Sequence, residues 1–291
     1  MVPLELARLT ALMERTSGSP DVQIGLIDGP VVTEHPDLVG GHLREIPGHN
    51  GATCTQADSA ACQHGTFVAG ILAAKRNSPA PAICPDCTLL IRPMFAEKST
   101  GTERMPSATP QQLAAAIVEC IDAGARVINL SLSLAQPSTK GEQELDEALD
   151  QAVRRGVIVV AAAGNQGTLG SSAITRHPWV IPVAACNLQG RPLGASNFGN
   201  SIGRRGLSAP GDRVTSLGAE GQPLTLGGTS VAVPFVTGAI ALLSSEFPAA
   251  SAAQIKLAVT QAATPRRASV VPPLLDAWAS YNILLAGNAR R

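Results

Sequence analysis

The chain has 291 residues, and its 22 lysines and arginines balance its 22 aspartates and glutamates, so the formal net charge is zero. Apolar residues make up 45% and charged residues 15%, which suits a chain with a substantial core and excludes a largely disordered one. That charge balance supplies neither the basic footprint of a nucleic-acid binder nor a polybasic membrane surface. No uninterrupted apolar run reaches the roughly 18–20 residues of a bilayer span. Neither nucleic acid nor membrane is therefore expected as a partner. Met1-Val2-Pro3-Leu4-Glu5 lacks the basic and apolar regions of a secretory signal. The expectation is a cytoplasmic protein if Met1 is the natural start, and a secreted one if a signal and prodomain have been trimmed.

The length suits one domain, read here as residues 22–291 with an N-terminal helical segment, 1–21, packed on it. In chain order, residues 3–15 read as a helix with Leu4, Leu6, Leu9, Leu12 and Met13 near one face, ended by Gly18-Ser19-Pro20. Residues 22–27 form an apolar run without alternation, the pattern of a buried parallel strand. It breaks at Asp28-Gly29-Pro30, which puts Asp28 at a carboxyl end, where open α/β sheets carry their sites. A small-residue helix follows, opened by His64. Residues 89–93 read as a strand, 97–110 as a polar loop, 111–123 as a helix and 127–132 as a second buried strand. A helix at 145–155 leads to a strand that ends in Ala163-Gly164-Asn165. Another strand covers 179–185. The turn Gly227-Gly228-Thr229-Ser230 then delivers a serine into an apolar helix running to 244, and a last helix covers 274–285. Strands alternating with helices predict an α/β fold, a doubly wound and mostly parallel sheet with helices on both faces.

Each polar landmark has an ordinary explanation when taken alone. Asp28 suits a turn, His64 and Ser230 suit helix caps, and Asn165 suits a loop. Together, in the order Asp, His, Asn, Ser and each on a strand end or helix start, they provide a nucleophile, a base, an orienting carboxylate and an oxyanion donor.

The flanking residues resemble those of subtilisin-type serine peptidases. The matching stretches are Ile27-Asp28-Gly29, His64-Gly65-Thr66-Phe67-Val68-Ala69-Gly70, Ala163-Gly164-Asn165 and Gly228-Thr229-Ser230-Val231-Ala232-Val233-Pro234, linked by Val127-Ile128-Asn129-Leu130-Ser131-Leu132 and Ser208-Ala209-Pro210-Gly211. The likeness runs over about residues 22–243. It implies a triad of Asp28, His64 and Ser230, with Asn165 as oxyanion donor, acting through an acyl-enzyme on a peptide or protein bound extended in a cleft to a monomer. Ser131, Leu132, Ser133, Ala163 and Gly164 would bind that substrate. A narrower resemblance, through Asp28-Gly29-Pro30-Val31, Gly190-Arg191-Pro192-Leu193 and Ser196-Asn197-Phe198-Gly199, is to the subtilases that mature cyanobactin-type ribosomal peptides. It implies removal of a leader from a precursor. The alternatives are a peptide macrocyclase and a catalytically silent peptide-binding subtilase. The interval between Asp28 and His64 shows no long amphipathic run to cover the site and exclude water, which favours hydrolysis.

The chain also departs from the family pattern. Phe67 stands where a second histidine is usual and Val233 where a threonine is. Ser131-Leu132-Ser133-Leu134 replaces Ser-Leu-Gly-Gly, putting side chains beside the first specificity pocket. Asp37 matches a family calcium ligand, but Lys75-Arg76-Asn77-Ser78-Pro79 lacks the oxygen donors to complete a cage. No cofactor is expected, with calcium as the one group the resemblance raises. Of six cysteines, Cys120 and Cys186 read as buried thiols. Cys54 with Cys62 and Cys84 with Cys87 are locally spaced pairs, read as disulfides first, free thiols second and a four-thiolate zinc site last.

Overall fold

The computed structural model describes residues 2–46, 54–95, 108–132, 142–262 and 269–288. Two short helices open the chain, α1 (Pro3–Leu6) and α2 (Thr10–Arg15). The single helix expected over 3–15 is broken at Arg8, whose φ of 53° lies in the left-handed region that interrupts a right-handed helix. The break lets Leu6, Leu9 and Leu12 all enter the core.

The framework follows as β1 (Gln23–Asp28), β2 (Leu43–Glu45), α3 (Ala60–Ala73), β3 (Thr88–Pro93), α4 (Pro110–Asp122), β4 (Val127–Leu130), α5 (Glu142–Arg155), β5 (Ile158–Ala162), α6 (Ala173–Arg176), β6 (Ile181–Cys186), α7 (Asn200–Arg205) and β7 (Leu207–Pro210). These seven strands form one sheet in the order β2-β3-β1-β4-β5-β6-β7, with every pair parallel. A small antiparallel pair, β8 (Val214–Leu217) and β9 (Pro223–Leu226), precedes α8 (Thr229–Glu246), α9 (Ala252–Gln261) and α10 (Ala277–Asn288). The expected α/β class and parallel sheet are observed.

The unbroken apolar strands are explained by burial on both faces. Successive strand side chains point to opposite sides. Ile24 and Leu26 of β1, Leu89 and Ile91 of β3, and Val160 of β5 join one core layer, with Phe67 of α3 and Phe235 of α8. Ile27, Leu90, Ile128, Leu130 and Val159 join the other, with Leu113 and Ile117 of α4 and Leu145 and Leu149 of α5. Helix α8 is long and apolar enough to cross a membrane by length and composition alone, yet 83% of its apolar window is buried inside the protein. Its apolarity is that of a core helix.

The sheet order positions the site. From β1 the chain first builds outward through β2 and β3, then returns to place β4 on the other side of β1. That reversal opens a crevice at the carboxyl ends of β1 and β4, the place where open α/β sheets bind ligands.

Candidate active site

Asp28 is the last residue of β1 and is fully buried. His64 is not the first residue of its helix, as the sequence suggested. Ser59 caps α3 by accepting from the Cys62 backbone N–H, and the helix begins at Ala60. His64 therefore sits one turn inside, held by a completed helical turn. Strand and helix meet through two glycines. A β-carbon on Gly29 would stand 2.0 Å from the Ala61 carbonyl oxygen, and one on Gly65 would stand 2.4 Å from that of Gly29. This close approach brings Asp28 Oδ1 to 2.7 Å from His64 Nδ1. The same oxygen accepts the Gly29 N–H at 2.6 Å.

Burial by itself lowers the His64 pKa, but the Asp28 charge and its hydrogen bond raise it, and the net direction is upward from the ordinary 6.5. With Asp28 on Nδ1, the Nε2 atom is the one left for proton exchange.

Ser230 is the second residue of α8 and is half-buried. Gly228, at φ 128°, turns the chain in a region other residues avoid. His64, Ser230 and Asn165 line one cleft of about 260 Å³ together with Phe95, Ser131, Leu132, Ala162, Gly164, Leu226 and Val231. Among the described residues no hydrogen bond joins the Ser230 hydroxyl to His64. Such bonds are often long until substrate tightens the site.

Asn165 follows β5 and is exposed to the cleft. Its Oδ1 accepts from the Thr229 backbone N–H at 2.9 Å and from the Thr229 hydroxyl at 3.0 Å. The carbonyl end is thereby occupied and the amide N–H₂ end remains to donate. Thr229 is fully buried, and its oxygen also accepts the Gly164 N–H at 3.2 Å. Sequence reasoning missed this role for Thr229, and a hydroxyl next to the nucleophile was the only available signal.

Of the residues expected to bind substrate, Ser131, Leu132 and Gly164 line the cleft. Ala163 is buried at 6% exposure, and Ala162 lines the cleft beside Gly164. Ser133, like Leu134 and the polar loop at 97–107, lies outside the described residues. Strand β4 ends at Leu130 rather than at 132, so Ser131 and Leu132 extend beyond the ladder into the crevice.

Cys54 and Cys62 form a disulfide. Cys84 and Cys87 do not, a correction to the expected pairing that also removes the four-thiolate zinc alternative. Both thiols are buried in the core layer that holds α3 and α8. They hydrogen-bond each other, which pushes Cys84 up and Cys87 down, and they pack as small apolar groups. Cys120 and Cys186 are buried free thiols.

The residues around Asp37 do not suit calcium. Among the described residues no group of three or more His, Cys, Asp or Glu side chains is placed to hold a metal ion. The Lys75 ammonium donates to the adjacent Pro36 carbonyl at 2.7 Å, so a cation already occupies that oxygen donor. Calcium needs six to eight oxygens.

A seven-stranded parallel sheet carrying a buried Asp–His pair, a helix-borne serine and an amide donor at its carboxyl edge defines the subtilisin-like α/β class. Residues 19–276 match the subtilase family model, and the chain belongs to that family. Subtilisin DY of Bacillus licheniformis is 31% identical over 250 residues, covering 84% of each chain. The thermostable alkaline protease of Halalkalibacterium halodurans is 34% identical over 202 residues, which are 69% of this chain and 52% of that protein. The chain spans about half the length of the first curated relatives it matches, 52% and 54%. Among solved structures, a mutant of the protease domain of PatA superposes with a TM-score of 0.84 at 29% identity, covering 93% of this chain and 97% of that one. The prenylagaramide maturation protease PagA gives 0.82 at 28% identity, covering 95% and 98%. The PatG macrocyclase bound to peptide gives 0.82 at 21% identity, a likeness of fold.

Proposed function

We propose that this chain is a serine endopeptidase that removes a leader from a ribosomally made peptide precursor. The observation that carries the reading is the meeting of Asp28-paired His64, Ser230 and Asn165 on one cleft at the sheet's switch point. The likeness to the maturation proteases PatA and PagA supports the choice of substrate class.

In the reaction, Ser230 Oγ attacks the scissile carbonyl carbon while His64 Nε2 takes the hydroxyl proton. Asp28 stabilises the imidazolium that results. The Asn165 side-chain N–H and the Ser230 backbone N–H meet the negative oxygen as it develops. His64 then returns the proton to the leaving amine as the C–N bond breaks. Water attacks the acyl ester by the same proton route and releases Ser230. An extended peptide would run between the segment after β4 and the segment after β5, pairing with backbone by strand addition.

The test is labelling by a fluorophosphonate, with intact-mass and peptide-level mass spectrometry. Wild type is expected to gain one adduct on Ser230, and Ser230→Ala none. A folded wild type that stays unlabelled overturns the hydrolase reading. On a precursor peptide, fragments whose summed mass exceeds the substrate by one water indicate hydrolysis, whereas products whose masses sum to that of the substrate with no water added indicate cyclisation.

A further inference from the structure

Pro234 stands inside α8, four residues after Ser230. In an uninterrupted helix the Ser230 carbonyl would accept the backbone N–H of residue 234. Proline has no such N–H, and its ring crowds that carbonyl. The nucleophile's own backbone oxygen is therefore deprived of its helical partner, in a place where an unpaired carbonyl is costly.

A side chain supplies the missing donor. The Ser131 hydroxyl donates to the Ser230 carbonyl at 2.8 Å. Ser131 Oγ in turn accepts from Asn129 Nδ2 at 2.8 Å, and Asn129 Oδ1 accepts from the Thr237 hydroxyl at 2.9 Å. The Thr237 bond fixes the amide's orientation, so the Asn129 N–H₂ faces Ser131 and the Ser131 proton can only point at Ser230. All three side chains are buried, at 0%, 2% and 0% exposure for Asn129, Ser131 and Thr237. The chain of bonds begins and ends on α8, crossing to β4 and back. It locks the first turn of the helix, which carries the nucleophile, to the strand beside the crevice.

We propose that Thr237, Asn129 and Ser131 are positioning residues: their directional relay replaces the helical hydrogen bond removed by Pro234 and sets the backbone from which the Ser230 hydroxyl is aimed. The inference rests on the hydrolase reading of the site. It gives Ser131 a side-chain role distinct from the substrate-binding role its position implies, because a hydroxyl committed to Ser230 and buried does not reach substrate. Small errors of aim at a nucleophile are expensive, since reactivity depends on a near-attack geometry.

The experiment is a double-mutant cycle on the rate of fluorophosphonate labelling and on kcat and KM with a peptide substrate. Ser131→Ala is expected to slow labelling and kcat about tenfold, the scale of one buried hydrogen bond, with KM nearly unchanged. Pro234→Ala restores an N–H at residue 234. In that background Ser131→Ala is expected to cost less than about twofold, because the helix itself now serves the carbonyl. A purely structural role would not produce that rescue. Thr237→Val, close to isosteric, repeats the cycle with a smaller loss, about threefold, and serves if Ser131→Ala fails to fold. Equal losses in both backgrounds, or labelling of Ser131→Ala at the wild-type rate, overturn the relay and leave the hydrolase reading standing. An unlabelled wild type overturns both.

Discussion

Asp28 acts on the site through His64, and that single contact has a measurable sign. Because the His64 pKa is raised above 6.5 and catalysis needs the neutral base, kcat/KM should climb with pH along a limb centred above 6.5. The stabilisation from the pair runs the other way. It is complete below the unfolded value of 6.5 and is lost as pH rises through the folded value. Asp28→Asn removes both raising influences and should carry the limb to lower pH while cutting kcat about ten-thousandfold, as loss of the orienting carboxylate does in serine proteases generally. A limb that stays in place would contradict the electrostatic account. Asn165→Ala should lower kcat with little change in KM. The scale, about a hundred- to a thousandfold, is that of the same donor in subtilisin, a relative of this chain. The four side chains proposed for catalysis could be read in the sequence, since each sits beside a break in an apolar run. Thr229 and Thr237 could not, because nothing in a string of residues says that a buried hydroxyl faces an amide from another element.

At the scale of elements, α3 is capped by Ser59 and tied down by the Cys54–Cys62 disulfide within its first turn. The bond closes a loop of sequence separation 8, for which chain entropy gives about 2.5 kcal/mol. Cys54→Ala with Cys62→Ala should therefore lower the melting temperature by about 5 °C. It should also lower kcat, since His64 lies two residues past Cys62. Thermal unfolding and turnover measured on the double variant check both, and an unchanged melting temperature would remove the tether from the account. The long apolar strands and the helices α4 and α5 are predictable from pattern, because burial on two faces and on one stripe leaves distinct periodicities. The elements that sequence reading passed over were β2, β7, α6, α7, α9 and the β8–β9 hairpin. Most are three to six residues long, too short to show a period.

Over the whole molecule, the four free thiols report on cooperative opening. Cys84, Cys87, Cys120 and Cys186 are all buried. Burial pushes Cys120 up to about 12 and Cys186 up to about 11, so little thiolate forms at those two near neutral pH. Cys87, which its hydrogen bond to Cys84 pushes down, is shielded by an exposure of 1%. Modification by a thiol reagent should therefore be slow in the folded protein and should accelerate with denaturant in step with unfolding. Rapid labelling of any of them under native conditions would show a local opening that the packing does not predict. The amino-acid sequence by itself determined the α/β class and the parallel strands and singled out the groups proposed for catalysis, because these depend on local pattern and on chemistry that few residue types can perform. Only the tertiary structure decided that Asp28 reaches His64 across Gly29 and Gly65, that Cys84 and Cys87 lie buried in the core without a disulfide between them, and that Ser131 serves the carbonyl Pro234 leaves unpaired. Each of those depends on distances between segments far apart in the chain, and such distances are set by how the layers pack.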